Sequence, residues 1–252
     1  MARRPPRRLA LTARLFCPPS PGSGPTRLAR IVAVTGPSRT TLHLVRHCDV
    51  HNPDGVLYGH LPGFRLSEKG VRQAHALGER FAGRPVRQIY ASPLERAQQT
   101  AHIIASYLDG VPVVTTPELV EARFGLYLQG VRPKDVPLKR PLWFVHMAWP
   151  GLLPNDESVA AMAARVRAPM LRLLRDFPGQ EGICVSHGDP IQAFWVEAEH
   201  RHAYALHRLQ CAKGGMLTLA YEDDRLVSKE YVAPREAGAP EASDEAADAS
   251  RS

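Results

Sequence analysis

The sequence lacks any long hydrophobic run. Arg, His, Asp or Pro interrupts each apolar stretch within about ten positions, whereas a membrane-spanning helix needs roughly 18 or more apolar residues in succession. We therefore predict no membrane span and no membrane partner. The chain has 252 residues, 44% of them hydrophobic, which is enough apolar surface for the core of one α/β domain with room for terminal segments.

Cysteine is also scarce, with four residues in the whole chain. None is part of a CxxC pair, and their spacing is not typical of metal ligands. This pattern predicts a reducing, cytoplasmic setting, and it gives no indication of a metal or another cofactor. The four residues are Cys17, Cys48, Cys184 and Cys211.

Acidic residues are absent from positions 1–40, which contain eight Arg. The formal net charge of the chain is +7, so the remaining residues are close to neutral at −1. The basic character belongs to this segment and not to the domain, which argues against a nucleic-acid partner. Residues 1–40 are also rich in Pro, Gly and Ser, and we predict a largely disordered tail. An organellar transit peptide and a translated upstream leader remain open alternatives.

The other end of the chain, residues 235–252, contains five acidic residues and almost no large apolar side chains. We predict a second disordered tail there. The working domain is accordingly expected at 41–234. No internal repeat is visible within it.

Short apolar runs and helical patterns alternate along this domain, which is typical of βαβ units and predicts an α/β fold. An alternating pattern on both sides of an acidic turn predicts a final β-hairpin at 216–232. The predicted strands are 41–47, 86–92, 111–115 and 182–187. The predicted helices are 68–82, 93–108, 156–176 and 189–199.

Three of these strands end in ionisable groups. The first ends in Arg46 and His47, the second leads into a helix that carries Arg96, and the fourth ends in His187 followed by Gly188. The carboxyl edge of a parallel sheet is where α/β enzymes place their chemistry. Two Arg and two His meeting there would form an anion site, because guanidinium groups grip phosphate oxygens bidentately. Gly188 would let the backbone approach the ligand closely.

These segments resemble one family when they are read together. LHLVRHCDVHN (42–52), SPLERAQQTA (92–101) and VSHGDP (185–190) are similar to the motifs of the histidine phosphatase superfamily, also called phosphoglycerate mutase-like. The resemblance covers about residues 41–200. It implies a three-layer sandwich whose mostly parallel central sheet has helices on both faces.

The same resemblance implies roles for individual residues. His47 would become phosphorylated, while Arg46, Arg96 and His187 would hold the phosphoryl group. Glu121, in LVEARFG (119–125), is the candidate proton donor, with Glu118 as a near rival.

Asn52 resembles a polar residue that touches phosphate in the family, although its spacing from His47 is one residue shorter than in the mutases. His43, His47 and His51 recur every fourth residue, but on a strand and loop that spacing does not form a metal site.

One position departs from the family pattern. Cys48 stands directly after the candidate nucleophile, where the family usually has Gly. A side chain there could crowd the loop and alter activity. A reactive thiol beside the phosphate is conceivable, but a small structural residue is the favoured interpretation.

The predicted function is hydrolysis of small phosphomonoesters, and two alternatives are kept. One is phosphoryl transfer of the phosphoglycerate mutase type, disfavoured because the 65 residues between Glu121 and His187 leave little room for a mutase's substrate-covering insertion. The other is a phosphate-binding module in which Cys48 weakens turnover. The segment 131–155, with three large aromatic residues, is predicted to form a lid that selects the substrate, or else to supply core. Substrate identity and oligomeric state are not predicted.

Overall fold

The computed structural model describes residues 39–235, apart from 150, 154–155 and 223. The predicted tails, 1–40 and 235–252, lie outside the described residues except for Arg39, Thr40 and Arg235. The first strand begins at Arg39, two residues before its predicted start, because Arg39 and Thr40 pair with Glu222 and Tyr221. Backbone pairing with a distant strand is not visible in local composition.

Six strands and seven α-helices form the described part of the chain. The strands are β1 (Arg39–Arg46), β2 (Val86–Ala91), β3 (Val113–Thr115), β4 (Glu181–Ser186), β5 (Met216–Glu222) and β6 (Arg225–Val232). The helices are α1 (Glu68–Phe81), α2 (Glu95–Ala105), α3 (Gly125–Leu128), α4 (Val136–Lys139), α5 (Trp143–Ala148), α6 (Val159–Asp176) and α7 (Gly188–Ala198). Short 3₁₀-helices occur at Pro117–Leu119, Pro133–Asp135 and Ala203–Arg208.

All six strands belong to one sheet with the order β3-β2-β4-β1-β5-β6. Strands β1 to β4 pair in parallel, whereas β5 runs antiparallel to both β1 and β6. The predicted hairpin at 216–232 is therefore confirmed as β5 and β6. The sheet is mixed, with a parallel half that carries the crossover helices and an antiparallel edge formed by local pairing.

Helices cover both faces of the sheet. On one face, α1 and α2 pack against Val45, Ile89 and Val185. On the other, α6 and α7 pack against residues that alternate with those, such as Leu44 and Cys184. Since successive side chains of a strand point to opposite faces, the near-continuous apolar sequence of these strands is what a sheet buried on both sides requires. The predicted α/β sandwich is confirmed.

Local sequence signals account for the two longest helices. Ser67 caps α1 by accepting a hydrogen bond from the Gly70 N–H, and Ser158 caps α6 by accepting one from Ala161. The helix α6 begins at Val159, three residues after its predicted start at residue 156, because Ser158 is its N-cap and the two residues before Ser158 are not helical. The helix continues through Pro169, as predicted. None of the described helices is long and apolar enough to cross a membrane.

Candidate active site

The predicted catalytic residues meet at the carboxyl edge of the sheet. Arg46 ends β1 and His47 follows it, His187 follows β4, and Arg96 is the second residue of α2, just after β2. These three strands are neighbours in the order β2-β4-β1 and run parallel, so their carboxyl ends lie side by side. The imidazole rings of His47 and His187 have centroids 5.1 Å apart. The fold thus brings together residues that are up to 141 positions apart in the sequence.

His47 is fully buried and held in one tautomer. Its Nδ1 lies 2.8 Å from the carbonyl oxygen of Cys48, which can only accept, so Nδ1 carries the proton. Its Nε2 is buried and has no hydrogen-bond partner. Burial, with the positive charges of Arg96 and Arg46, holds the pKa of His47 well below its usual value. The ring is therefore neutral at neutral pH, with a free lone pair on Nε2 that can act as a nucleophile.

The two guanidinium groups are positioned by backbone carbonyls. Arg46 donates to the carbonyl oxygen of Cys211. Arg96 is almost completely buried and donates through Nη2 to the Gly59 carbonyl oxygen at 2.8 Å, and its guanidinium lies over the ring of Tyr58, 4.7 Å from the centroid. In each Arg the Nε remains buried without a partner. Each guanidinium is therefore anchored at one end and has a donor left for a ligand.

His187 links this cluster to the candidate acid. Its Nε2 lies 2.7 Å from the hydroxyl oxygen of Ser92, and its Nδ1 lies 3.8 Å from a carboxylate oxygen of Glu121. Nδ1 has no hydrogen-bond partner. Burial, followed by the positive charges around it, holds the pKa of His187 well below its usual value. It stands at the start of α7, where the helix dipole also favours an anion.

Glu121 and its rival Glu118 have different surroundings. Burial and the negative charge of Asp189 raise the pKa of Glu121 to about 7, so this carboxyl exchanges its proton near neutral pH. Glu118 instead accepts a hydrogen bond from Arg172 at 2.9 Å, and hydrogen bonding lowers its pKa despite partial burial. Only Glu121 is both near His187 and able to carry a proton at neutral pH.

Four buried side-chain nitrogens among the described residues have no hydrogen-bond partner, and all four belong to predicted catalytic residues. They are Nε of Arg46, Nε2 of His47, Nε of Arg96 and Nδ1 of His187. Buried polar groups are rarely left unpaired, because an unmade hydrogen bond costs about 1–3 kcal/mol. A cluster of such nitrogens, with two fixed positive charges, is complementary to a tetrahedral oxyanion such as a phosphoryl group.

Gly188 and Asn52, the two predicted substrate-binding residues, differ in their contacts. A Cβ at Gly188 would lie 3.1 Å from Cζ of Arg46, so a larger residue would require the guanidinium to shift by a few tenths of an ångström. The amide of Asn52 instead bonds both ways with the backbone of Val56, at 2.8 and 3.2 Å. The structure places Gly188 against the cluster, whereas it shows Asn52 bonding within its own loop.

Cys48 does not point into the site. Its side chain is buried in the core cluster that α1 and α2 form with the sheet, and burial raises the pKa of its thiol to about 12. Its backbone N–H donates to the hydroxyl of Thr100, while its carbonyl accepts from His47. The backbone of this residue orients the imidazole, and the side chain is a small apolar filler.

Sequence reasoning missed several residues that support the cluster. Ser92 and Thr100 lie in the SPLERAQQTA motif but were given no role, and Tyr58 was not considered. Gly59 has φ +44°, and a Cβ there would lie 2.5 Å from the carbonyl oxygen of Gly125. The signal for Gly59 and Tyr58 was the YGH sequence in a turn-rich loop, but nothing in it indicated a contact with Arg96.

The His residues spaced four apart do not come together. His43 bonds with Glu181 and Thr218 on the first helix-covered face, and His51 is exposed on a loop. Across the described ranges, no group of three or more His, Cys, Asp or Glu side chains is arranged to hold a metal ion.

Next to the cluster lies a pocket of about 770 Å³. Its walls come from the segment around Glu121, from α3, and from the predicted lid segment. The lining residues are His60, Val120, Arg123, Phe124, Leu126, Tyr127, Leu142, Leu153 and Asp156. Among the lid aromatics, Phe144 and Trp149 are exposed and none of the three lines the pocket, so the lid contributes leucines instead.

This fold and cluster define an α/β protein in which two guanidinium groups and two buried imidazole rings meet at the carboxyl edge of the sheet. The chain belongs to the histidine phosphatase superfamily (branch 1), whose family model matches residues 42–233. The predicted family is thereby confirmed, and its members similar to this chain include phosphatases and mutases.

Two relatives and one solved structure illustrate the similarity. An uncharacterized protein of Mycobacterium tuberculosis H37Rv is 35% identical over 199 residues, which is 79% of this chain and 98% of that protein. A Yersinia enterocolitica protein named probable phosphoglycerate mutase GpmB is 32% identical over 150 residues, covering 58% of this chain and 68% of its own. A phosphoserine phosphatase mutant of Entamoeba histolytica, in complex with phosphoserine, shares the fold with a TM-score of 0.63 at 24% identity, covering 75% of this chain and 96% of that chain.

Proposed function

We propose that this protein hydrolyses small phosphomonoesters through a phosphohistidine on His47, with Glu121 as the proton donor. The observation that carries the proposal is the cluster of four buried, unpartnered nitrogens. One of them is a neutral imidazole nitrogen of His47 with a free lone pair, and the other three belong to Arg46, Arg96 and His187, the last with its ring centroid 5.1 Å from that of His47. A carboxyl group with a pKa near 7 lies beside the same cluster.

In the first step, Nε2 of His47 attacks phosphorus in line with the ester oxygen. A P–N bond forms as the P–O bond to the alcohol breaks. Arg46 and Arg96 neutralise the charge on the phosphoryl oxygens, and such donors are worth roughly 10²–10³ in kcat each. If the Ser92 hydroxyl donates to Nε2 of His187, then Nδ1 carries a proton and donates to the same group. Glu121 gives its proton to the departing alkoxide, and the alcohol leaves.

In the second step, Glu121 is a carboxylate and accepts a proton from water. The resulting hydroxide attacks phosphorus, the P–N bond breaks, and inorganic phosphate and neutral His47 are regenerated. A single carboxyl serves as acid and then as base most effectively when its pKa is close to the working pH. The pKa of about 7 at Glu121 meets that condition. The proposed steps use no metal ion, so we expect turnover to persist in EDTA. We also propose a cytoplasmic location.

Hydrolysis is preferred over mutase chemistry for two reasons. Among the described residues between Glu121 and α6, the helices are all short, and the pocket there is lined mostly by apolar residues. A mutase must hold a second hydroxyl of a very polar substrate for return of the phosphoryl group. The similarity to the Yersinia protein keeps the mutase as the second candidate. The binding-module alternative is weakened because the Cys48 side chain packs in the core.

The test is turnover of p-nitrophenyl phosphate by the wild type, by His47→Ala and by His102→Ala. His102 is an exposed histidine on α2 and serves as the matched control. We expect His47→Ala to lose at least about 10³-fold in kcat, while His102→Ala stays within about twofold. Equal rates for wild type and His47→Ala would refute the proposal. Transfer of phosphate to a second alcohol, without release of inorganic phosphate, would favour the mutase.

A further inference from the structure

The pocket beside the cluster is placed to receive the alcohol part of a substrate. Val120 and Arg123 line it and flank Glu121 in the sequence. A Cβ at Gly125 would lie 3.7 Å from Cγ of Glu121 and 3.9 Å from the ring of His60, which lines the pocket. The proposed acid therefore stands at the boundary between the pocket and the phosphoryl site, where the leaving oxygen must be.

Two of the polar residues in the pocket wall, Asp156 and His60, already bond to other parts of the protein. The carboxylate of Asp156 accepts hydrogen bonds at 2.8 Å from Nδ1 of His146 and from the Gly151 N–H. Nε2 of His60 donates to the carbonyl oxygen of Ala122 at 3.1 Å. Two polar lining residues thus serve to fix the wall rather than to bind a sugar or a hydroxy acid.

The apolar wall is large for a small substrate. Six of its residues are apolar or aromatic: Val120, Phe124, Leu126, Tyr127, Leu142 and Leu153. A volume of about 770 Å³ lies in the range, roughly 300–1,000 Å³, of pockets that bury drug-sized ligands. Phe124 is fixed by stacking on His146, with ring centroids 3.8 Å apart and planes 6° from parallel. This stacking holds one side of the apolar wall in place.

We propose that this pocket selects phosphomonoesters whose leaving alcohol is bulky and apolar, with about six or more carbon atoms. The inference rests on the proposed function, since it assigns the pocket to the leaving group of that reaction. Each additional methylene of the alcohol that enters the pocket removes apolar surface from water, which is worth roughly twofold to fourfold in affinity.

The experiment compares binding of propylphosphonate and hexylphosphonate, which cannot be hydrolysed, by isothermal titration calorimetry. The two probes share one charged group and differ by three methylenes. We expect wild type to bind hexylphosphonate roughly tenfold more tightly or better, with a more negative heat-capacity change. The double variant Leu126→Asn/Leu142→Asn should reduce this ratio to about threefold or less. Both residues are about half exposed, at 49% and 46%, so their replacement is compatible with folding.

Leu138→Asn is the matched control. Leu138 lies on α4 in the same lid segment and is 87% exposed, but it does not line the pocket. We expect it to keep the wild-type ratio. Equal dissociation constants for the two phosphonates, or an equal loss in Leu138→Asn, would overturn the inference and leave the proposed function intact. Failure of the proposed function is seen separately, as His47-independent turnover of p-nitrophenyl phosphate.

Discussion

The two ends of the site are built from different parts of the fold. The proposed phosphate end consists of Arg46, His47, Arg96 and His187, which stand at or just after the strand ends of the parallel half of the sheet and have buried nitrogens. The proposed alcohol end is the pocket, whose walls come from short helices and loops and include half-exposed leucines. In this proposal a rigid scaffold positions the reacting groups, and selectivity depends on segments that tolerate change.

The difference has a packing origin. At the phosphate end, Arg46 of β1 pairs in register with Ser186 of β4, and the backbone of Cys48 is tied to Thr100 of α2. These contacts join three neighbouring elements, so a shift of one moves the others. At the alcohol end, α3, α4 and α5 contain only four to six residues each. We therefore expect changes at the phosphate end to lower kcat for every ester, and changes at the alcohol end to alter KM selectively.

After His47→Ala, the largest effect is expected for Glu121→Gln, which removes the proposed proton donor at the junction of the two ends. We predict a fall in kcat of about 10²–10⁴-fold for alkyl phosphates, and a smaller fall for p-nitrophenyl phosphate, whose leaving group needs little protonation. Steady-state kinetics on both substrates measure this. Glu118→Gln is the matched control and should stay within about threefold, because its carboxylate bonds Arg172 outside the cluster. Equal losses in both variants would contradict the assignment.

The pH dependence follows from the same carboxyl. The pKa of Glu121 is raised to about 7, so its acid form is present below that pH and is lost as the pH rises through it. For alkyl phosphates, kcat/KM of the wild type should therefore fall above about pH 7.

The same carboxyl makes the stability of the fold depend on pH. The folded protein binds the proton of Glu121 more tightly than the unfolded chain does, so the stability that this proton confers is lost between about pH 4.5 and 7. Above pH 7, Glu121→Gln should be more stable than wild type by roughly 1–3 kcal/mol, measured by urea unfolding.

An intermediate effect is expected for Gly188→Ala. The added Cβ would lie 3.1 Å from Cζ and 3.3 Å from Nη2 of Arg46, so the guanidinium must move. We predict a loss of roughly tenfold in kcat for short and long alkyl phosphates alike. Gly182→Ala is the control, because its Cβ would meet Leu173 in the core at 2.7 Å. That variant should lower the melting temperature and leave kcat per folded molecule unchanged. A loss confined to long esters in Gly188→Ala would break the proposed division of roles.

The smallest effect on activity is expected for Cys48→Gly, which restores the residue that the family usually has. The side chain of Cys48 packs in the core and away from the cluster, so kcat should change by less than about threefold. The free energy of unfolding should fall by roughly 1–2 kcal/mol, because a buried side chain is lost and glycine loosens the backbone. Denaturant unfolding and turnover of p-nitrophenyl phosphate test both parts. A large gain in kcat would show that Cys48 does hinder turnover.

Most of the secondary structure was predictable because its signals are local. The apolar strands, the Ser67 cap and the alternating hairpin each depend on neighbouring residues, and the ends of the predicted elements agree with the structure to within three residues. The helix expected from Pro93 to Leu108 is shorter at both ends as α2. The earlier start of β1 has a non-local cause, because Thr40 pairs with Tyr221.

The candidate site was predictable only in part. Arg46, His47, Arg96, Glu121 and His187 are named by motifs, since each motif carries the reactive residue itself. Their supports are carbonyl groups and hydroxyls, such as the Cys211 carbonyl that accepts from Arg46. Every residue has a backbone carbonyl, so the sequence does not indicate which carbonyl will accept a hydrogen bond from a site residue.

The sequence by itself determined the reactive groups and the strands that deliver them, because residue identity sets nucleophilicity and charge, and local pattern sets strand or helix. Only the tertiary structure decided the tautomer of His47, the raised pKa of Glu121, the inward packing of Cys48 and the apolar pocket. These depend on burial and on distances between residues far apart in the chain. Solvation and charge act through space, and the burial and distances that set them cannot be read from the order of residues alone.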